Sequence, residues 1–294
     1  MPFVTWRDKH TEEQTMDARE HRIQLGQAAA EQLTQYLHTL SADAWHHPSA
    51  CAAWEVCDVV GHLALGAEFY ASTVARGVQG DTAPPAGAPL PGVREREAVP
   101  AFSAQRAIAY RERLGDQLLA TFTGRTAHFY QLLQSLGPQD WEKPCYHPLG
   151  LRPAQQFMTM RLLELAMHAW DIQSALDPTA ALFSDSLPVF MERVPGIVSL
   201  LRMPPDARRL VPLRCHFTVT GAVPSQYTML MTADQVRMEP GGTTAADVTC
   251  RCDTETFVLL MYGRLTPQAA VVNGRLVVEG DRRLLTVGKW FTGV

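Results

Sequence analysis

The segment QQFMTMRLLELAMHAWDIQSAL, residues 155–176, carries the pattern that decides the fold of the first half of this chain. It follows Pro153, a residue that suits the first turn of a helix, and the pair Asp177-Pro178 ends it. The run VCDVVGHLALGAEFYASTVAR, residues 56–76, has apolar residues on one broad face at helical spacing. Both segments are therefore predicted to be long helices that each bury one side.

Two more helical runs complete the first half, one starting near Glu12 and one from about Ala101 to Leu136. Four long helices predict a four-helix bundle. The stretch at residues 77–100 is dense in Gly and Pro and exceeds an ordinary connection. We expect it to be a poorly ordered loop that borders the functional site as a substrate lid.

The pattern changes after about Pro204, where short strand-like runs alternate with Pro, Gly and Asp. A helix at residues 253–265, a turn with a strand at 273–281 and a closing helix at 282–291 follow. The predicted fold class is α+β. Its domains are a bundle at residues 1–182, a linking helix at 183–205 and a small α+β domain at 206–294.

Charge and hydropathy exclude several classes of partner. The 294 residues are 46% apolar and 19% charged with a net charge of −4, which gives no electrostatic footprint for nucleic acid. No apolar run approaches the ~20 residues of a membrane span, and the N-terminal stretch is charged where a signal peptide would be apolar. A cytoplasmic protein with no membrane partner is expected.

The six cysteines form no CxxC pair and no secreted-type framework. Reduced, mostly buried thiols are expected, and none is expected to take part in the chemistry. Cys250 and Cys252 fall two apart in a strand-like run, so they are expected to share one face.

A candidate metal site rests on Glu164 and His168, which lie four apart on the last bundle helix and so one turn apart on one face. On spacing alone, an ordinary core or surface pair is the favoured explanation. His62 stands mid-helix among apolar residues, where an imidazole needs a hydrogen-bond partner, and a satisfied core histidine is its simple explanation. Together, two His and one carboxylate leave positions open on zinc, as catalytic sites do.

The stretches CAAWEVCDVVGHL, residues 51–63, and MRLLELAMHAWDI, residues 160–172, resemble the mycothiol-dependent maleylpyruvate isomerase family of the DinB-like bundle superfamily. The resemblance implies that His62, Glu164 and His168 hold a divalent metal, with zinc favoured and nickel, iron or manganese left open. It also implies mycothiol as co-substrate. The run from 257 to 281 is similar to the family's second domain, which has a sterol-carrier-like fold. One departure is Glu55, where members usually have Ser or Thr after the Trp.

Two neighbouring side chains have candidate catalytic roles. Arg161 is expected either to bind a substrate carboxylate or to form a salt bridge within the bundle. Asp171 follows His168 by three residues and is expected either to orient it as an acceptor or to make a helix-end contact. Trp54 is more simply explained as a core residue.

The implied activity is metal-assisted formation of a thiolate that attacks a small-molecule electrophile or thiol conjugate. Isomerisation and S-transfer both remain open, and the long loop favours transfer to a bulky electrophile. Metal-dependent hydrolysis of a thiol conjugate or amide is an alternative, because the same open metal can activate water. A non-enzymatic ligand-binding protein is another, and a monomer or homodimer is expected in either case.

Overall fold

The computed structural model describes residues 6–52, 54–92, 99–198, 211–232, 235–242 and 245–286. The chain forms two compact units, Met1–Ala180 and Ala181–Val294. The helices of the first unit are α1 (Trp6–Thr39), α2 (Ala42–Trp45), α3 (Val56–Val78), α4 (Val99–Leu114), α5 (Leu118–Gln134) and α6 (Ala154–Leu176). Strands β1 (Pro144–Cys145) and β2 (Arg152–Pro153) form a short antiparallel pair before α6.

Four of these helices form a closed ring. Helix α3 lies against α5 and α6, and α1 lies against the same two helices from the other side. The interior holds large apolar side chains with no measurable exposure, among them Leu63, Phe122, Phe129 and Phe157. Burying a side chain of this size stabilises the fold by about 1.5–3 kcal/mol relative to leaving it exposed. The predicted helical bundle and the α+β fold class are confirmed.

The third helical run differs from its prediction, because it is two helices rather than one. Gly115 has a φ of +49°, in the left-handed region that a right-handed helix cannot use. A 3-10 turn at Gly115–Gln117 therefore separates α4 from α5. Residues 93–98 lie outside the described part of the chain, so the predicted loop is described only up to Gly92.

The start of α3 is fixed by its own acidic residues. The backbone N–H of Glu55 donates to Asp58 Oδ2 at 3.0 Å, which satisfies one amide next to the first turn. Arg111 on α4 donates from Nε to the other oxygen of Asp58 at 2.9 Å. Glu55, the departure from the family pattern, thus still takes part in a capping interaction, and α3 is held in one orientation against α4.

The second unit contains a five-stranded sheet in the order β5-β4-β3-β6-β7, in which β3 and β6 are parallel and the other pairs antiparallel. Its elements are α7 (Leu187–Val198), β3 (Leu213–Thr220), β4 (Ser225–Met231), β5 (Val236–Pro240), β6 (Val248–Asp253), α8 (Thr254–Met261), α9 (Pro267–Val272) and β7 (Leu276–Gly280). Alternate residues of β3 and β6 are buried, so Cys250 and Cys252 share one face as expected. Of the predicted closing helix, the described part is a 3-10 helix at Arg282–Thr286. Among the described helices, none has the length and apolar character needed to cross a membrane.

Candidate metal site

The three predicted ligands lie on two facing helices of the bundle. His62 projects from the middle of α3, and Glu164 and His168 project from α6. His62 Nε2 lies 3.2 Å from Glu164 Oε1, and the two imidazole rings meet edge to face with centroids 4.9 Å apart. The fold therefore brings together side chains from two distant segments of the sequence.

Glu164 is an ionised carboxylate in a mostly buried position. Burial, the largest single influence, favours its neutral form, but the hydrogen bond and charge of His62 oppose it. With the added charges of Arg161 and His168, the pKa of Glu164 falls to about 2. Burial, together with the charge of Glu164, also raises the pKa of the nearby Tyr70 phenol, so that this side chain stays neutral.

Arg161 forms a salt bridge within the bundle, which is one of the two roles expected for it. Its side chain has no exposed surface. Nη1 donates to Glu164 Oε2 at 3.1 Å, and Nη2 donates to the hydroxyl of the buried Thr126 at 3.0 Å. The described guanidinium is thus occupied by an ion pair inside the bundle, and a contact with a substrate carboxylate stays a prediction.

Asp171 lies where an orienting acceptor for His168 is needed. The carboxylate is fully buried, and its Oδ2 is 2.9 Å from His168 Nδ1. Because this contact uses Nδ1, metal ligation by His168 would use Nε2. Of the two roles expected for Asp171, the contact with His168 is the one that the geometry favours.

Two side chains near the site were not expected from the sequence. The Trp54 ring lies against both histidines, with centroids 5.0 Å from His62 and 6.2 Å from His168. Cys51 is half-buried, and its Sγ lies 3.1 Å from Asp171 Oδ2 and 3.7 Å from His168 Nδ1. Their presence in the same motif segment, residues 51–63, was the one signal that pointed to them.

Gly66 makes room for the carboxylate, one turn beyond His62 on α3. A Cβ at this position would lie 3.2 Å and 3.3 Å from the two carboxylate oxygens of Glu164. Contacts this short are tighter than ordinary packing, so the missing side chain allows Glu164 to reach the α3 backbone. The space around the carboxylate is therefore set by a glycine.

In the described part of the chain, two sets of three residues each offer one potential ligand atom within 4.8 Å of the other two: Cys51, His168 and Asp171, and His46, Glu55 and Cys57. The predicted trio is not one of these sets, although His62 contacts both of its partners. Binding of one ion by all three side chains would therefore require them to move closer together. The donor types, two imidazoles and an ionised carboxylate, suit a divalent metal.

The described part of the Gly/Pro-rich segment is anchored close to the start of α6. Tyr146 donates its hydroxyl to Pro89 O at 2.7 Å, and Gly92 N donates to Pro148 O at 2.9 Å. At its other end, Arg76 bonds to Asp81. Poor order and a lid role remain predictions for this segment, and these hydrogen bonds place its described part on the connection that leads into α6.

Comparison with solved structures identifies a similar fold. A crystal structure of a mycothiol-dependent maleylpyruvate isomerase matches with a TM-score of 0.60 at 15% identity, covering 84% of this chain and 90% of that one. A mutant of a mycothiol-dependent maleylpyruvate isomerase gives the same values. Sterol Carrier Protein 2 Like 2 from Aedes aegypti matches with a TM-score of 0.27 at 18% identity, covering 35% of this chain and 91% of that one. Comparison with curated proteins gave no match.

Family models match both parts of the chain. The SCP-2 sterol transfer family matches residues 202–288. The Mycothiol maleylpyruvate isomerase N-terminal domain matches residues 27–173, a range that contains all three predicted ligands. Because this match spans half of the sequence, the chain belongs to the mycothiol maleylpyruvate isomerase N-terminal domain family.

Proposed function

We propose that this chain is a metal-dependent enzyme that uses a low-molecular-weight thiol, mycothiol, to attack an electrophilic small molecule. The metal is divalent, with zinc favoured, and His62, Glu164 and His168 hold it. The observation that carries the proposal is the ionised, mostly buried Glu164 carboxylate in contact with an imidazole from the facing helix. An anionic carboxylate beside two imidazoles is a ready-made site for a cation.

The residues around the trio prepare it for a metal. Arg161 holds one oxygen of Glu164, while the other oxygen faces His62. Asp171 holds Nδ1 of His168, and Gly66 leaves space beside the carboxylate. When bound, the metal would supply a positive charge that lowers the pKa of a thiol presented to it.

The reaction that fits best is reversible addition of the thiol to an activated alkene. Sulfur forms a bond to one alkene carbon while the electron pair moves onto the adjacent carbonyl, which allows rotation about the former double bond. Reversal breaks the C–S bond and returns the thiol, so the net change is cis–trans isomerisation. The similarity to maleylpyruvate isomerases supports this outcome. If the C–S bond persists, the same chemistry gives S-transfer, which the long 77–100 segment favours for a bulky electrophile.

Thiol stoichiometry tests the reaction. We expect turnover of a cis-alkenyl 2-oxo acid such as maleylpyruvate to require mycothiol without consuming it, whereas an S-transferase would consume one thiol per product. Rates are measured on a panel of electrophiles and thiol conjugates, with free thiol monitored in parallel. Robust turnover without any thiol would instead support the hydrolase and contradict the proposal.

Metal content tests the site. We expect about one divalent metal per chain, most of which is lost from the His62→Ala and His168→Ala variants while the bundle still folds. Elemental analysis gives the content and circular dichroism the helicity. Full metal occupancy in both variants would show that the ion, if present, binds elsewhere.

A second, separate function is supported by the SCP-2 match to residues 202–288. We propose that the second unit binds an apolar ligand, independently of the metal. A fluorescent fatty acid should bind equally well with and without a chelator, because its site does not use the trio. Loss of binding on chelation would contradict that independence.

A further inference from the structure

We propose that Cys51 is a positioning residue that holds Asp171, and through it His168, in the orientation that binds metal. The inference rests on the proposed function, because it concerns the same metal site. It differs from the expectation drawn from the sequence, in which no cysteine takes part in the chemistry.

The contacts form a short chain that ends at a predicted ligand. Cys51 Sγ donates to Asp171 Oδ2 at 3.1 Å, and His168 Nδ1 lies 2.9 Å from that same oxygen. The thiol and the imidazole therefore share one carboxylate oxygen. A movement of the Asp171 carboxylate would therefore change its contact with Cys51 and its contact with His168 together.

Burial gives the thiol contact its importance. Asp171 has no exposed surface, so its carboxylate depends on protein donors in place of water. A buried acceptor that loses a donor pays a desolvation cost, so the hydrogen bond matters here even though a thiol is a weak donor. Loss of the Cys51 donor would thus leave the carboxylate freer to rotate away from His168 Nδ1.

The backbone around Cys51 is held independently of its thiol. Ala50 N donates to the main-chain oxygen of Asp171 at 2.9 Å, and Ser49 N donates to Trp54 O at 2.8 Å. Cys51 N itself donates to Ser49 Oγ at 3.2 Å. A side-chain substitution at Cys51 should therefore leave the segment in place and change only the contact with Asp171.

The consequence for metal binding follows from the two nitrogens of His168. A carboxylate held at Nδ1 keeps the proton on that nitrogen and directs the Nε2 lone pair towards the metal. Loss of such an outer contact typically weakens metal binding about 10–100-fold. Cys51 contributes to metal affinity because its thiol holds Asp171 Oδ2, the same oxygen that orients the His168 ring.

A matched pair of variants tests the inference. Zinc affinity is measured by competition with a chelating dye for the wild type, Cys51→Ala and Cys51→Ser. We expect Cys51→Ala to bind zinc about tenfold more weakly. Cys51→Ser keeps a donor and should restore affinity close to that of the wild type. Metal-free Cys51→Ala should unfold at a somewhat lower temperature than the wild type and Cys51→Ser, because the buried carboxylate loses one donor, but all three should unfold cooperatively since the backbone contacts remain.

Alkylation provides a test without mutation. Cys51 is half-buried and the other five cysteines are buried, so iodoacetamide should react with Cys51 first. The sulfur displaces iodide, a C–S bond forms and the thiol proton passes to solvent, which removes the donor. One equivalent of label, located by mass spectrometry, should weaken zinc binding about tenfold or more, while the treated Cys51→Ser variant should keep its affinity.

The outcomes separate this inference from the proposed function. If the wild type binds zinc and Cys51→Ala binds it equally well, the role of Cys51 is wrong and the metal site stands. If Cys51→Ser is as weak as Cys51→Ala, the donor role is wrong as well. If the wild type binds no metal, both the metal-dependent function and this inference fail.

Discussion

At the scale of single residues, Gly66 determines how closely Glu164 can approach α3. An added Cβ would lie 3.2 Å from the nearer carboxylate oxygen, so Glu164 would have to move by a few tenths of an ångström. We expect Gly66→Ala to weaken zinc binding about tenfold. Its effect on stability should stay within about 1 kcal/mol, because Ala also favours the helix. Dye competition measures the zinc affinity and urea unfolding the stability. Unchanged zinc affinity would show that the Glu164 carboxylate can shift without loss of metal binding.

His147 is expected to make the free energy of unfolding depend on pH. Burial, and secondarily the charge of Arg152, lower its pKa to about 4, and its Nδ1 accepts a hydrogen bond from Leu149 N. Between pH ~6.5 and ~4 the unfolded chain binds a proton here that the folded chain does not, so stability falls as the pH decreases through this window.

The His147→Gln variant should therefore lose less stability than the wild type between pH 7.5 and pH 4.5. Because the ring is partly exposed, the difference should be on the order of 1 kcal/mol. Urea unfolding at the two pH values measures it. His128→Gln, at an exposed position on α5, serves as the control. Equal losses of stability in the wild type and His147→Gln would show that His147 does not cause this pH dependence.

At the scale of helices, α1 and α5 approach each other at a glycine. A Cβ on Gly26 would lie 2.1 Å from the hydroxyl oxygen of Tyr130, which is almost fully buried. We expect Gly26→Ala to destabilise the fold by about 1–3 kcal/mol through overpacking. Gly124→Ala is the matched control, since nothing lies within 4 Å of its added Cβ and it should stabilise α5 by up to about 1 kcal/mol. Urea unfolding compares them, and equal effects would show that α1 can move away from α5 at little cost.

At the scale of the whole molecule, the chain consists of two compact units, and the predicted metal ligands all belong to the first. A ligand stabilises the unit that binds it, by about 4 kcal/mol at a thousandfold excess over its dissociation constant. Calorimetry should therefore show two unfolding transitions. Zinc should raise the midpoint temperature of only one of them, the unfolding of the first unit. A fatty acid should raise the midpoint temperature of the other transition, the unfolding of the second unit. A single transition that shifts with both ligands would show that the two units unfold together.

The sequence by itself determined where most of the helices lie and which residues are the candidate metal ligands. Apolar residues at helical spacing produce buried helix faces, so α3 and α6 could be located within a few residues. The break at Gly115 was missed because one glycine in a helical pattern does not reveal the sign of its φ. The loop was recognised from its composition, but its contacts with Tyr146 and Pro148 were not.

Only the tertiary structure decided what surrounds the candidate ligands. Arg161 is equally plausible as a substrate contact or as an internal ion pair until its full burial is known. Cys51 reaches Asp171 across 120 residues of sequence, and Glu164 owes its low pKa partly to His62 on another helix. Periodicity fixes which face of a helix is buried, whereas the rotation of the helices and the path of their connections fix which side chains meet on that face. These contacts, rather than the residue types alone, give the site its chemistry.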